Sequence, residues 1–589
     1  MRRLWKVCAI GGAGVVLASF SSGPRLSPAS LAALDPSRLA AAACGSKDAG
    51  ATLARALLAA AAVAAPASAA RPMPLYPDLM VSPFRVTTDS PDAQRYFSQG
   101  LLLTYGFNHA GAVRSFREAQ RLDPACALCW WGEALALGPN INAPMDDRDH
   151  GAALAALGRA LALRDRASPR EQALIDAMAG RYSPAADADR AALDVAYADA
   201  MLAVARQYPD DNDIAVLAAE AAMDTTPWNY WEADRRTPIG RSGEAIRLVE
   251  AVLARDPTHP QAAHLYIHLL EASDPARAEA AADRLATPVA PSAGHLVHMP
   301  GHIYARRGRH ADSIRVNIAA VRADEAFIRA TDDQSLVRYG YYPHNIHFIV
   351  TSAQMAGDMA TAIGEARRLR RVLDPATSAR IAWIQAIDAA PYLAAAQFAA
   401  PKAILAMPAP DRRLPYAAAM RHYARAVAHA RLRDGRGVAG ELAAMAELAQ
   451  ADGVAAMVEQ GVPVPDLLAL AAAVVRGRLA GAQGRHGEAA NEYRRAIAIE
   501  AGLPYQEPSL WYYPVSQSLG AALFHDGRHA EAAAAFRTAL IQAPNNGWAL
   551  YGLMRSEAAQ GHAAEAAAAR QALDRAWLGD RRWLRMDRL

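Results

Sequence analysis

A spacing of roughly 34 residues recurs along this chain and limits what it can fold into. From Ala93 onward, Gly100, Ala112, Phe116, Ala119 and Pro124 alternate small and large side chains at helical intervals. The same grid fits residues 513–546 through Leu519, Gly520, Ala532, Phe536, Ala539 and Pro544, and residues 470–501 through Gly477, Ala489, Tyr493 and Ala496. A weaker copy begins near Gly547, and Ala245 and Pro257 close another after the irregular TPWNYW stretch at 226–231. Each unit reads as a helix, a turn and a second helix. Such a unit cannot bury its apolar face alone, so the copies must stack. Composition agrees. The 53% hydrophobic fraction is inflated by Ala, a strong helix former, while aromatic content is 7% and runs of Val, Ile and Thr are scarce. The expectation is an all-α solenoid without a β domain. The Pro-rich stretch 400–416, APKAILAMPAPDRRLPY, is expected to join two runs of repeats, 71–399 and 417–589.

These packing positions resemble the tetratricopeptide repeat (TPR) pattern, which implies a helix-turn-helix solenoid wound into a right-handed superhelix. Eight of the 17 histidines lie between positions 264 and 347. Seven fall in three short segments, HLYIHLLE, HLVHMPGHIY and PHNIHF, spaced three, four or seven residues apart, which puts each set on one helix face. On the repeat grid, units start at Pro260, Gly294 and Pro343. His264, His268 and Glu271 are then fifth, ninth and twelfth; His295, His298 and His302 are second, fifth and ninth; His344 and His347 are second and fifth. In tetratricopeptide proteins those positions of the first helix line the concave groove. The resemblance therefore implies that all eight residues face one groove on three consecutive repeats. His310 falls in a turn and reads as a solvated loop residue. His422 and His429, seven apart on a later helix, fit the grid in only one of two registers and are not counted. Pro300 interrupts the helix carrying three of the histidines, and an interior proline kinks a helix at a cost of about 3 kcal/mol.

Imidazole is the commonest protein metal ligand. The candidate ligand set is His264, His268, Glu271, His295, His298, His302, His344 and His347, with one carboxylate among seven imidazoles. That composition fits poorly with di-iron bundles, which use several carboxylates, and with calcium or magnesium, which take oxygen. The zinc protease signature H-E-x-x-H is absent. Three histidines with an open position suit catalytic zinc. Two three-histidine centres suit a copper pair, with Met299 as a soft donor, so copper is preferred over zinc, with iron also admissible. A copper site would point to a metal-dependent oxidoreductase. The alternative is a non-enzymatic scaffold whose concave groove takes a protein or peptide. Nearby Tyr266, Tyr304, Tyr341 and Tyr342 read as groove-wall packing. In the loop GPNINAPMDD at 138–147, Asn140, Asn142, Asp146 and Asp147 read as helix caps, with contact to a ligand as the alternative. YQEPSLWYYP at 505–514 reads as either a groove lid or a packing plug.

The N-terminus looks like export machinery. Basic residues from Met1 to Lys6 precede an apolar stretch, and a second apolar run from Ala56 ends in Ala67-Ser68-Ala69, a cleavage-site pattern. Residues 1–70 are read as an export region, with mature protein beginning at Ala70 or Arg71, in the periplasm or secreted. Cys8 and Cys44 would leave with it. Cys126 and Cys129 remain as a C-x-x-C that is read as a local disulfide or as a redox or metal pair. The later sequence holds no stretch long and apolar enough to cross a membrane. A net charge of +3, with no dense Lys/Arg block, gives no nucleic-acid signal. The segments CALCWWGEALALGPNIN, HLYIHLLEAS, GHLVHMPGHIYARRG, YYPHNIHF and EPSLWYYPVSQSLGAAL resemble a recurrent kind of bacterial exported tetratricopeptide-repeat protein. That resemblance covers nearly all of the chain after the export region and implies its fold rather than its activity.

Overall fold

A computed structural model describes residues 73–589 except 81, 186, 187, 288 and 289. The export region and both N-terminal cysteines lie outside the described residues. The described chain is helical throughout, and its only β pairings are two isolated bridges, Asn140 with Ala143 and Trp231 with Pro238. Antiparallel helix pairs follow one another, and each packs chiefly on its chain neighbours, which makes the fold a TPR-like helix-turn-helix solenoid. The repeat grid matches real pairs: Pro91–Tyr105 with His109–Leu122, Val464–Ala482 with His486–Glu500, Val515–His525 with His529–Gln542, and Gly547–Ala559 with Ala563–Ala576.

The grid works because a glycine on the first helix seats an aromatic ring from the second. A Cβ at Gly100, Gly477 or Gly520 would fall 2.7, 2.7 and 2.9 Å from ring atoms of Phe116, Tyr493 and Phe536. Real side chains do not approach so closely, so the small residue sets the spacing of the two helices. Polar side chains close the turns. Asn108 accepts from Gly111 N, and Asn546 accepts from Trp548 N and Ala549 N. Gly308 and Gly357 follow the first helix of their units at φ 69° and 72°, a left-handed conformation that glycine adopts without Cβ strain.

Three groups of buried apolar side chains run from Met73 to Tyr341, from Val321 to Ala394 and from Ala353 to Leu589. Packing therefore changes hands in the segment that carries His344 and His347. Stacking continues across 400–416, because Ala382–Phe398 and Pro415–Arg431 pack directly on each other.

The last repeats return to the middle ones. Trp548 Nε1 donates to the Gln354 carbonyl at 2.8 Å, and Leu578 N donates to Ala356 O at 2.9 Å. Asn545 Nδ2 donates to Gly308 O at 3.3 Å. His310 is part of this closure. It was expected in solvent, but it starts the helix His310–Thr331, is buried, and puts Nε2 3.2 Å from the Pro544 carbonyl. Its repeat turn is covered by a repeat more than 200 residues later, which a local pattern does not reveal. Cys126 and Cys129 are joined as a disulfide. Among the described residues no single helix is long and apolar enough to cross a membrane.

Gly520→Ala is expected to cost about 1–3 kcal/mol by forcing Phe536 off its seat. A lower urea midpoint by circular dichroism would register it; an unchanged midpoint would mean the ring can move aside.

Candidate metal centre

Three helical segments bring the histidines together. Pro260–Leu270 opens with its N-cap His259 accepting from Ala262 N and carries His264 and His268 one turn apart. The second of the three segments breaks where Pro300 predicts, into Gly294–His298 and Pro300–Arg306. Across the break His302 N donates to Met299 O at 3.2 Å, a tighter closure than the α-helical one. The third segment, Tyr342–Ala356, carries His344 and His347. Gly301 sits where a Cβ would fall 2.5 Å from Asn317 Nδ2, so its lack of a side chain admits Asn317 to the back of the cluster.

The rings form two triads. His264, His268 and His295 offer nitrogens that all lie within 4.8 Å of one another, and so do those of His298, His302 and His344. The triads touch: ring centres of His268 and His302 are 5.9 Å apart, and those of His295 and His298 are 5.8 Å apart. Glu271 and the five histidines on the first two segments are no more than 6% exposed. A phenylalanine packs against each triad. Phe107 lies 4.6 Å from His264 and 5.3 Å from His295, while Phe348 lies 4.9, 4.7 and 5.0 Å from His298, His302 and His344. Phe107 and Trp228, whose ring meets His268 edge-on at 4.9 Å, both hold left-handed backbone at φ 52° and 61°. Strain of this kind persists only where surrounding structure over-determines it, and it gathers at functional sites.

The hydrogen bonds assign the ring tautomers. His264 Nδ1 faces Gln261 Oε1 at 3.0 Å, and the same amide donates Nε2 to Glu220 Oε2 at 2.9 Å. His298 Nδ1 faces Asn317 Oδ1 at 2.6 Å, and that amide donates Nδ2 to Ser313 O at 2.8 Å. Glu271 accepts from both His268 Nδ1 at 2.9 Å and His302 Nδ1 at 2.6 Å. All four Nδ1 atoms are therefore donors, and their Nε2 atoms turn inward. His264 Nε2, His268 Nε2 and both nitrogens of His295 are buried without a partner. In the second triad His298 Nε2 and His302 Nε2 stand 2.8 Å apart. With both Nδ1 protons committed, a proton shared by those two nitrogens, or a metal ion bound by both, would relieve the contact between their lone pairs.

Electrostatics follow from this burial. Desolvation pushes His264, His295, His298 and His344 well below the usual imidazole value, and neighbouring imidazoles add to it. Burial also lowers His268, against the opposing pull of Glu271, and brings His347 to about 4. Burial works against charge on His302 too, but the Glu271 carboxylate outweighs it and raises that ring. Burial would raise Glu271, yet His302 and the two imidazole hydrogen bonds bring it to about 2. Most of the rings are thus neutral at physiological pH, the form that ligates.

Six of the eight expected residues make up the triads. Glu271 stands behind two of them as the shared acceptor, and His347 lies on the wall of an adjoining cavity. That cavity, about 90 Å³, is also lined by His268, His295, His302 and His344, and by Trp228, Tyr341 and Trp383. Tyr341 lies tilted against His295 at 4.6 Å and receives a hydrogen bond from Asn142 of the 138–147 loop. Tyr266, Tyr304 and Tyr342 instead donate to Glu250, Asp283 and Glu325. Met299 is buried in the apolar core. His422 and His429 pair with Glu441 and Asp434. The 505–514 stretch does both jobs expected of it. Gln506 to Leu510 and Tyr512 cover the cavity, while Trp511, Tyr512 and Tyr513 pack in the C-terminal core. Gln261 could have been read as the residue one turn before His264; Asn317, Phe107 and Trp228 come from elements with no pattern of their own.

No family model matches this chain, and no curated protein matches it. Among solved structures, a human IFIT1 dimer with m7Gppp-AAAA aligns at TM-score 0.28 and 12% identity, over 83% of this chain and 90% of that one. An APC/C hetero-tetramer Cut9-Hcn1 gives 0.27 and 13%, over 84% and 78%. Yeast Tom70 gives 0.26 and 10%, over 80% and 90%. Likeness at this level carries no argument about what the chain binds.

Glu271→Ala would leave two buried Nδ1–H groups without their acceptor. The expected loss is about 3 kcal/mol of stability in metal-free protein, read as a lower melting temperature; a loss near zero would mean that the carboxylate is not holding the rings.

Proposed function

We propose that the protein holds two metal ions in adjacent three-histidine sites, one built by His264, His268 and His295 and the other by His298, His302 and His344. One observation carries the reading: four of the six rings, His264, His268, His298 and His302, turn Nε2 inward, each backed by an Nδ1–H donated to a fixed acceptor. Backing of that kind orients and strengthens metal-bound imidazoles. An all-imidazole donor set favours copper, with zinc next and iron admissible. Bound copper would supply one-electron and dioxygen chemistry, so the function we favour is an oxidoreductase. The chain's own part is to aim the imidazoles, to keep their protons on Nδ1 and to exclude water behind the 505–514 stretch.

The adjoining cavity narrows the substrate. An apolar cavity of about 150 Å³ accepts benzene, so about 90 Å³ suits a smaller, uncharged molecule. The one carboxylate on its wall, Glu507, stands 3.6 Å from Arg306. A peptide-binding scaffold is the other use such repeats allow. It has less support at this place, because the histidines are buried and C-terminal segments cover them. We also propose that the mature chain is exported, which the Cys126–Cys129 disulfide supports. N-terminal sequencing of exported protein should begin at Ala70 or Arg71; a start near Ser22 would refute the proposed cleavage site.

Metal content of the purified protein after copper, zinc or iron supplementation tests the main reading. Two equivalents are expected, with His268→Ala removing one and His298→Ala the other. No stoichiometric metal under any supplement would sink it, and a chelator-indifferent protein partner would favour the scaffold.

A further inference from the structure

The residue that holds the His264 ring is itself held from another helix. Gln261 presents its Oε1 to His264 only while its amide is turned that way, and a carboxamide can turn over to present NH2 instead. Its orientation is set by Glu220 on the helix Asn212–Asp224, whose Oε2 accepts from Gln261 Nε2 at 2.9 Å. A carboxylate only accepts. Turning the amide would therefore set two oxygens against each other in a buried place. Glu220 belongs to a buried polar group outside the metal centre. Arg181 is 2% exposed and donates to Asp224 Oδ2 at 3.3 Å and to the carbonyls of Pro139 and Leu135. Burial raises the Glu220 carboxyl to about 7, against the pull of that guanidinium.

We infer that Glu220 is a positioning residue that, through Gln261, sets the tautomer of His264 and so decides whether the first three-histidine site can take a metal ion. The inference rests on the two-site reading. With the amide turned, Gln261 would offer an N–H to His264 Nδ1. The ring proton would then sit on Nε2, and the atom facing the triad would be a donor with no free lone pair. The second site lacks this weakness. Asn317 orients His298, and the Asn317 amide is fixed by the Ser313 backbone carbonyl, which cannot change role.

The test uses the full chain at about pH 8, above the Glu220 value of about 7. Glu220→Gln replaces an obligate acceptor by a group that can donate, at nearly constant shape. It is expected to weaken the first site by about 10-fold or more, the scale of losses for residues behind metal ligands, while the second site keeps its affinity and reports that the fold is intact. The double variant Glu220→Gln/Gln261→Glu should restore binding, because the new carboxylate accepts from both of its neighbours. Nitrogen-15 spectra of the metal-free protein, with His264 assigned by its loss in His264→Gln, should show Nδ1–H in the parent and double variant and a shift toward Nε2–H in Glu220→Gln. Native first-site affinity and an unchanged tautomer in Glu220→Gln, or failure of the double variant to restore the site, would overturn the inference. If the single variant does not fold, the double variant must still bind both ions. If the parent binds no metal, the two-site reading fails, while the tautomer measurement still decides the role of Glu220.

Discussion

Closure of the solenoid on itself is the contact on which the rest depends. The indole of Trp548 reaches the backbone carbonyl of Gln354, Leu578 reaches Ala356, and Pro544 and Asn545 cap the turn at Gly308 and His310. An open stack of repeats would leave its concave face wet. Here the C-terminal repeats bring the 505–514 stretch over that face, and the imidazoles lose water. Desolvation is the largest influence on every ring in the two triads. Neutral imidazoles with inward lone pairs are a consequence of that tertiary contact more than of histidine content.

Burying so many polar rings requires that each be answered. An unanswered donor in such a place costs about 1–3 kcal/mol, so the acceptors behind the rings are part of the design. One carboxylate, Glu271, serves two rings from different triads and ties them into a single body. Gln261 and Asn317 serve two more, His264 and His298, each with its amide fixed from behind. Proton positions are thereby settled one layer at a time, outward from the cluster. Within the cluster, His264 Nε2, His268 Nε2 and both nitrogens of His295 stay unanswered. Unpaired buried nitrogens so close together call for an explanation, and the proposed metal sites supply one.

Much of this was legible in residue order. The glycine and aromatic positions predicted the helix pairs, because a ring seated on a glycine has few alternative spacings. The three- and four-residue intervals predicted which histidines share a face, and Pro300 predicted the break between His298 and His302. Other features were out of reach. His310 looked like a loop residue because its cover, Pro544, lies more than 200 residues away. Phe107 and Trp228 enter the cluster from turns with left-handed backbone. Asn317 arrives from the second helix of a repeat, through space left by Gly301. Glu271 read as one more ligand on the same face; its side chain instead lies behind His268 and His302, as their shared acceptor.

By itself, then, the sequence determined the architecture and the membership of the cluster. Both are properties of spacing along a helix, and helical spacing is local. Tertiary structure alone decided that seven histidines divide into two triads and a wall residue, which nitrogen turns inward on His264, His268, His298 and His302, and that C-terminal segments line the small cavity beside them. Those outcomes depend on distances between helices far apart in the chain, and no local period encodes them.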